Sequence, residues 1–225
     1  PVLSNFLPPD PQMQTLIGKI RAPYEKKLAE PLAITEGTLY RRGNFNGTFD
    51  QLIVDALMEV KGADLAFSPG FRWGTSLLPN STILMEHLLD QTATTYSYST
   101  LTEMKGETIK AVLEDVADNL FNPDPYYQQG GDMVRVGGLQ FSCDPTAAMG
   151  RRINDMRLKG KPIEASKKYK VAGWCPVAEE ASKQNLPMVW DLVETWLKAQ
   201  GGRVKPRKLN APAVTGGLPN PGYAA

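Results

Sequence analysis

The segment NGTFDQLIVDALMEVKG, residues 46–62, limits the possible folds more than any other stretch of the sequence. Its apolar residues recur at three- and four-residue intervals, which is typical of an amphipathic helix that packs through one face. Thr48 is the predicted N-cap and Gly62 the predicted end of the helix. The inward face is expected to contain Leu52, Ile53, Leu57 and Val60. Because the apolar run ADLAFS follows at once and predicts a short strand, the helix should pack against a β-sheet.

The rest of the chain extends this pattern of helices and strands. Further helices are predicted at 13–32, as one helix or two, at 105–121 and 187–202, and a short one after a turn in 76–93. Strands are predicted at 33–44, 95–104, 130–145 and 156–175, with Lys159 to Lys161 in a hairpin turn. Trp190 and Trp196 are expected to face the core. Helices lie between strands in the first half and strands cluster in the second, which predicts a single α+β domain with a mixed sheet and packed helices.

The ends of the sequence have a different composition from its centre. Residues 1–14 are expected to form a linker, and residues 15–205 the folded domain. The Pro/Gly-rich tail, 206–225, is expected to wrap the surface or to be disordered.

Composition argues against several classes of function. The 25 lysine and arginine residues nearly balance the 24 acidic ones, and a net charge of +1 gives no general affinity for nucleic acid or for an anionic membrane. No apolar run approaches the roughly 20 residues that span a bilayer. The first residues also lack the basic and apolar pattern of a signal peptide. We therefore expect no nucleic-acid partner and no membrane segment in this chain, so any anion recognition must be local.

The residues that usually carry metal or nucleophilic chemistry are scarce. The chain has one histidine, His87, and two cysteines, Cys143 and Cys175. A catalytic zinc or dinuclear site needs more such ligands, and Ser/His/Asp and Cys/His arrangements would both have to use His87. We therefore predict no metal, no bound cofactor and no catalytic residue in this chain. His87 is interpreted as a packing or helix-surface residue. The cysteines are interpreted as free buried thiols, and one disulfide is the alternative.

A first candidate anion site precedes the strong helix. Arg41 and Arg42 lie just before it, with Asn44 and Asn46 beside them. A helix N-terminus surrounded by guanidinium and amide donors suits an anion. Arg72, at the end of the next strand, could reach the same edge of the sheet. A solvated basic surface is the alternative interpretation.

Two other segments have unusual composition. The turn PGFRWG places Phe71 and Trp73 on either side of an arginine, which is less ordinary than the Pro-Gly turn itself. In GGDMVRVGG, Gly130 and Gly131 could let the backbone approach a ligand. Turns around a strand of a curved sheet would explain these glycines equally well.

Several of these segments together resemble a known family. The C-terminal domain of the 5′-nucleotidase family has the same order of segments, and the SoxB-type thiosulfohydrolases of the Sox sulfur-oxidation system are similar in detail. The resemblance covers about residues 15–205 and rests on YRRGNFNGTFDQLIVDAL, ADLAFSPGFRWGTS, LTEMKGETIKAVLEDV, GGDMVRVGGLQFSCDP and KKYKVAGW.

The resemblance implies a function for the whole enzyme. It implies a substrate-recognition domain that is inactive alone and that pairs with its own N-terminal metallophosphatase-like domain, which would hold two manganese ions. The implied reaction is the hydrolytic release of sulfate from a thiosulfonate on a cysteine of the SoxYZ carrier protein, in the periplasm. Two alternatives stay open, a 5′-nucleotidase or related phosphoesterase domain and a non-catalytic module that docks a carrier.

The resemblance also implies roles for site residues. The arginine of the turn contacts the anionic group of the substrate, and this role carries onto Arg72. Phe71 and Trp73 would narrow the crevice or line the path of the carrier arm, unless Trp73 only packs against the partner domain. In nucleotidases two aromatic rings hold the base, the first falling near Tyr96 or Tyr98. At the second place this chain has GWCPVAEE, which begins with Gly173 and Trp174.

Overall fold

The computed structural model describes residues 6–41, 43–71, 73–175 and 186–216. Within these ranges the chain forms six α-helices. In chain order they are α1 Pro11–Arg21, α2 Glu25–Leu28, α3 Thr48–Lys61, α4 Met85–Thr92, α5 Gly106–Phe121 and α6 Val189–Ala199. All the helices predicted from periodicity are therefore present, and the first predicted segment forms two of them.

The strands of the described residues form three sheets. They are β1 Pro31–Thr35, β2 Leu65–Ser68, β3 Thr82–Leu84, β4 Ser99–Lys105, β5 Arg135–Gly137, β6 Leu139–Cys143, β7 Ile153–Leu158, β8 Lys161–Pro162, β9 Lys168–Trp174, β10 Arg203–Val204 and β11 Ala213–Val214. The strand orders are β4-β9-β2-β5, β10-β1-β3 and β11-β6-β7-β8. Each sheet contains both parallel and antiparallel pairs. The predicted α+β fold with a mixed sheet is confirmed.

The sheet β4-β9-β2-β5, the central sheet, separates two hydrophobic cores. β2 and β9 are parallel, with Leu65 opposite Val171 and Ala66 opposite Ala172. Because side chains alternate between the two faces of a strand, the two alanines join the core that contains α3 and α6. Leu65 and Val171 join the other core, which contains α5. The small alanine side chains leave room for α3 beside the sheet.

The helix that most limited the fold is confirmed as α3. It ends at Gly62, whose φ of 60° is left-handed. Leu52, Ile53 and Leu57 are buried, as predicted. The inward position of Val60 is wrong, since its side chain is 41% exposed. Burial along α3 ends at Leu57, and the last turn lies at the surface.

Thr48 is not the N-cap of α3. Gly47 takes that place in an extended conformation, and Thr48 is the first helical residue. Its hydroxyl instead donates to the Thr38 carbonyl at 2.7 Å and accepts from the Tyr40 N–H at 3.0 Å. The side chain thus fastens the preceding loop to the helix, a role that local sequence alone does not reveal.

The observed strands differ from the predicted ones where the strand pairing is short. The strand predicted at 33–44 ends at Thr35, and an isolated bridge from Leu39 to Leu77 follows it. β3 was not predicted, because three residues carry no periodic signal. The predicted hairpin turn lies between β7 and β8, which pair antiparallel.

The beginning of the Pro/Gly-rich tail packs on the domain. β11 pairs parallel with β6. The Asn210 side chain donates to the carbonyls of Val136 and Leu139, both at 2.8 Å. These contacts agree with a tail that wraps the surface as far as residue 216. Residues 217–225 lie outside the described part of the chain.

Further predictions bear on core and surface. Trp196 is buried and Trp190 packs half-buried against the same core, as predicted. Cys143 is a free, buried thiol, as predicted, whereas Cys175 is free but only half-buried. In the described segments, every helix is too short or too polar to cross a bilayer.

Candidate functional site

Most of the predicted site residues that the structure describes lie near one edge of the central sheet. β2 and β9 both end at this edge, and β4 and β5 begin there because they are antiparallel to their neighbours. Phe71 and Trp73 follow β2, Trp174 ends β9, and the segment before β5 carries Gly130 and Gly131. Segments from four strands therefore surround this edge.

Three aromatic residues, Phe71, Trp73 and Trp174, form an aromatic cluster at this edge. The Phe71 and Trp73 rings stack, with centroids 3.8 Å apart and planes at 19°. Phe71 meets Trp174 edge to face at 5.8 Å, and the Trp174 indole N–H donates to the Ser68 hydroxyl at 2.8 Å. No further ring fits between Phe71 and Trp73. Trp73 is 43% exposed, so its indole is available to a ligand or a partner.

The turn that presents the cluster depends on Gly70. The Phe71 N–H donates to the Pro69 carbonyl at 2.9 Å, which closes a tight turn after β2. A β-carbon on Gly70 would lie 2.6 Å from the carbonyl oxygen of Met133 and 2.9 Å from the Asp132 side chain. Glycine at this position lets the turn after β2 lie directly against the segment before β5.

Arg41 lies inside the protein, next to the aromatic cluster. Its side chain is fully buried and donates from Nε to Asp50 Oδ1 at 2.7 Å. The other two nitrogens donate to the backbone carbonyls of Gln91 and, at 3.0 Å, Pro69. The guanidinium carbon is 5.6 Å from the Phe71 ring centroid. Arg41 therefore joins the loop before α3, the end of α4 and the turn after β2.

Arg41 belongs to a buried ion network that also contains Asp50, Arg135 and Asp132. Arg135 Nε lies 3.4 Å from Asp50 Oδ2, and Arg135 Nη2 donates to Asp132 Oδ2 at 2.9 Å. Among the described residues, two guanidinium groups and two carboxylates form this network, and their side chains are almost entirely buried. Burial raises the pKa of the Asp50 carboxyl, and the guanidinium groups of Arg41 and Arg135 oppose that rise. Burial likewise lowers the pKa of Arg41, against the attraction of Asp50.

Asp50, Arg135 and Asp132 were not identified from the sequence. A signal was available for two of them. Arg135 stands between two valines in a strand, and Asp50 stands among the buried residues of α3. A charged residue inside an apolar run predicts a buried ion pair, because an unpaired buried charge is costly.

The asparagines of the loop before α3 also have protein partners. The buried Asn46 side chain donates to Gln51 Oε1 at 2.8 Å and accepts from the Gly47 N–H at 2.9 Å. The Asn44 carbonyl accepts from Arg135 Nη1 at 2.8 Å. The Asn46 side chain and the Asn44 carbonyl therefore have hydrogen-bond partners within the protein and do not need a ligand.

The start of α3 is covered by its own loop. The Phe49 N–H donates to the Tyr40 carbonyl at 2.9 Å. A β-carbon on Gly47 would meet that same carbonyl. Protein groups therefore occupy the part of the predicted anion pocket that the described residues form. Arg42 and Arg72, the other two arginines of the prediction, lie outside the described residues.

The remaining candidates line the outside of the edge. Tyr98 is half-buried, and its carbonyl accepts from the N–H of Cys175, next to Trp174, at 3.2 Å. Tyr96 is exposed. Gly130 and Gly131 have positive φ and face open space. The structure thus brings Arg41 and the aromatic cluster into contact, with Tyr98 adjacent and the two glycines in the segment leading to Asp132.

The single histidine has a structural contact. His87 Nδ1 accepts from the Leu84 N–H at 3.1 Å and so caps the start of α4. Among the described residues, no group of three histidine, cysteine or acidic side chains could hold a metal ion. The family resemblance places the two implied manganese ions in the preceding domain, so their presence stays a prediction.

A family model and several solved structures match this chain. The family model of the 5′-nucleotidase C-terminal domain matches residues 25–184. SoxB from Thermus thermophilus, a sulfate thiohydrolase solved with glycerol, is similar at 34% identity with a TM-score of 0.86, covering 97% of this chain and 41% of that one. A search of curated proteins gave no match.

More distant solved structures have the same fold. A 5′-nucleotidase precursor, also from Thermus thermophilus, is 15% identical with a TM-score of 0.72, covering 94% of this chain and 44% of that one. The NAD nucleotidase of Haemophilus influenzae is also 15% identical, with a TM-score of 0.67, covering 92% of this chain and 42% of that one. The chain spans less than half the length of each of these structures.

Proposed function

The chain belongs to the 5′-nucleotidase C-terminal domain family, and from this premise we propose that it is the substrate-recognition domain of a SoxB-type thiosulfohydrolase. The reaction is the hydrolysis of a sulfur–sulfur bond, which releases sulfate from a thiosulfonate on a carrier-protein cysteine. The carrier is SoxYZ, and the enzyme is periplasmic. Two manganese ions belong to the preceding domain, and catalysis requires that domain.

One observation carries this proposal. The identity to SoxB is 34% over almost the whole chain, whereas the identity to the two nucleotidases is 15%. The lower value supports a common fold only. The higher value supports a common type of substrate as well.

The aromatic residues support the same choice. The family resemblance implies that a nucleotidase carries its second base-stacking ring after β9. In this chain the segment CPVAEEASKQNLPMV, 175–189, contains no Phe, Tyr or Trp. Phe71 and Trp73 stack on each other and leave no slot for a base. These features favour a small anionic group over a nucleoside.

Two residues of the turn after β2 and the neighbouring Arg41 have proposed roles. Arg72 binds the terminal sulfonate, because a guanidinium group forms strong, charge-assisted bonds with such oxyanions. Trp73 borders the path of the carrier arm with its exposed indole. Arg41 does not bind substrate in this proposal. It holds the turn in place through the Pro69 carbonyl.

The test is sulfate release by the two-domain enzyme from thiosulfonate-charged SoxYZ. Arg72→Ala should lower turnover by about 100-fold or more, the loss typical when one donor to a developing anion is removed. Arg157→Ala is the matched control, since Arg157 is exposed on β7 in another sheet, and it should leave turnover unchanged.

Other results would favour the alternatives. Unchanged turnover in Arg72→Ala would overturn the role of Arg72. Hydrolysis of AMP without sulfate release would identify a nucleotidase. Carrier binding without turnover in the metal-loaded enzyme would identify a docking module.

A further inference from the structure

The end of helix α4 holds the backbone that follows the aromatic turn. The Thr75 N–H donates to the Asp90 carboxylate at 2.7 Å, and the Thr75 carbonyl accepts from Gln91 Nε2 at 3.1 Å. Thr75 is exposed, so water could serve both of its backbone groups. Two side chains of α4 instead fix the position of a residue that stands two places after Trp73.

Gln91 is also connected to the beginning of the turn. Its backbone carbonyl lies in the last turn of α4, where carbonyls have no helical partner, and it accepts from Arg41. Arg41 donates in addition to the Pro69 carbonyl at 3.0 Å. Gln91 therefore reaches Pro69 through Arg41 and contacts Thr75 directly, so a single residue is connected to both ends of the segment 69–75.

The Gln91 side chain contributes to the turn more than to the stability of the core. Gly74, with a φ of 97°, lies so close that a β-carbon on it would overlap the Gln91 carboxamide. Gln91 is 1% exposed, and its Oε1 has no hydrogen-bond partner among the described residues. A buried unpaired oxygen costs stability, so an apolar side chain of similar size would serve the core as well. What only glutamine supplies here is the Nε2 donor to the turn.

We propose that Gln91 is a positioning residue, which holds the turn after β2 in the place from which Trp73 and the neighbouring Arg72 meet the substrate. This rests on the proposed function, which gives both of those residues a part in substrate binding. Gln91 is buried and acts through the backbone of the turn. A displacement of about 1 Å in groups that orient a substrate can cost about 100-fold in rate, so a loosened turn should be visible in the kinetics.

The test measures sulfate release by the two-domain enzyme carrying Gln91→Leu, which keeps the approximate size of the side chain and removes the donor. The value of kcat/KM should fall by about 10- to 100-fold. The midpoint of urea unfolding should stay close to wild type, because the unpaired oxygen is lost together with the hydrogen bond. Thr92→Val is the matched control and should leave kcat/KM unchanged. Thr92 is buried on the same helix, but its hydroxyl donates to the Leu88 carbonyl at 2.7 Å, within α4.

A double variant separates positioning from general damage to the fold. Because Gln91 acts through the turn, Gln91→Leu should add little to the loss that Arg72→Ala already causes. Losses that multiply in the double variant, or an unchanged kcat/KM in Gln91→Leu, would overturn the proposal. So would an equal loss in Thr92→Val, since any disturbance of α4 would then suffice.

Amide hydrogen exchange tests the same inference without turnover. Residues 74–77 should exchange at least about tenfold faster in Gln91→Leu than in wild type or in Thr92→Val, because the turn then opens more often. Faster exchange in an enzyme whose wild type releases no sulfate would refute only the proposed function. Equal exchange in all three proteins would show that the turn does not depend on Gln91, and the inference would fail whatever reaction the enzyme catalyses.

Discussion

Replacing Asp50 by asparagine should destabilise the isolated chain by about 3 kcal/mol. Removing one partner of a buried ion pair typically costs about 3–5 kcal/mol. Asp50 lies 2.7 Å from Arg41 and 3.4 Å from Arg135, and all three side chains are fully buried. The lower end of this range applies because Arg135 retains its ion pair with Asp132, and Arg41 retains its hydrogen bonds to two backbone carbonyls. At about 2–4 °C per kcal/mol for a chain of this size, the melting temperature should fall by about 6–12 °C.

Urea unfolding followed by tryptophan fluorescence measures this loss, since Trp174 lies in the core beside Arg41. The control is Glu103→Gln, which removes a surface pair with Lys168 at 3.3 Å. Because both side chains of that pair are more than half exposed, its loss should change stability by less than about 1 kcal/mol.

A loss below about 1 kcal/mol in Asp50→Asn would refute this account of the buried ion network. It would mean that backbone carbonyls hold Arg41 without the carboxylate. A double-mutant cycle with Arg41→Met separates the pair from its surroundings. The double variant should lose less than the sum of the single losses, because neither charge is then left alone.

Three further predictions concern other parts of the fold. At pH 8 an aromatic disulfide reagent should modify Cys175 before Cys143, since burial raises the pKa of Cys143 to about 11, and Cys175→Ser should remove the fast phase. Gly70→Ala should cost about 1–3 kcal/mol in urea unfolding, because its β-carbon would lie 2.6 Å from a facing carbonyl oxygen. Gly18→Ala, which meets nothing within 4 Å, should not destabilise the chain. Hydrogen bonds from two lysines lower the pKa of Glu30 to about 2, so its contribution to stability should be complete above about pH 4.5 and disappear towards pH 2. Acid titration of Glu30→Gln should then show a shallower loss than wild type.

The parts of the fold that the sequence predicted are those with local signals. α3 and α5 are long and amphipathic, so periodicity located both. The exposure of Val60 escaped prediction because it depends on where the sheet beneath α3 ends. β3 and β11 escaped prediction because strands of two or three residues exist only through their partners.

The candidate site also has features that local sequence predicts and features that it does not predict. The turn at Pro69 was predictable, since proline and glycine determine its backbone. The pairing within the buried ion network was not, because Asp132 and Arg135 are distant in sequence from Arg41 and Asp50. Arg41 was assigned to an anion from its position before a helix. Its partners Asp50 and Gln91 become visible only in three dimensions.

The position of β9 in the central sheet determines the order in which this domain can assemble. β9 lies between β2 and β4, although it is the last of these strands to be synthesised. β2 and β4 each pair with β9, so they are not joined in one sheet until residues 168–174 emerge from the ribosome, and Trp174 arrives with them. Closure of such non-local contacts is slow. A chain interrupted before β9 therefore has neither a closed central sheet nor a complete aromatic cluster, which links completion of the site to completion of synthesis.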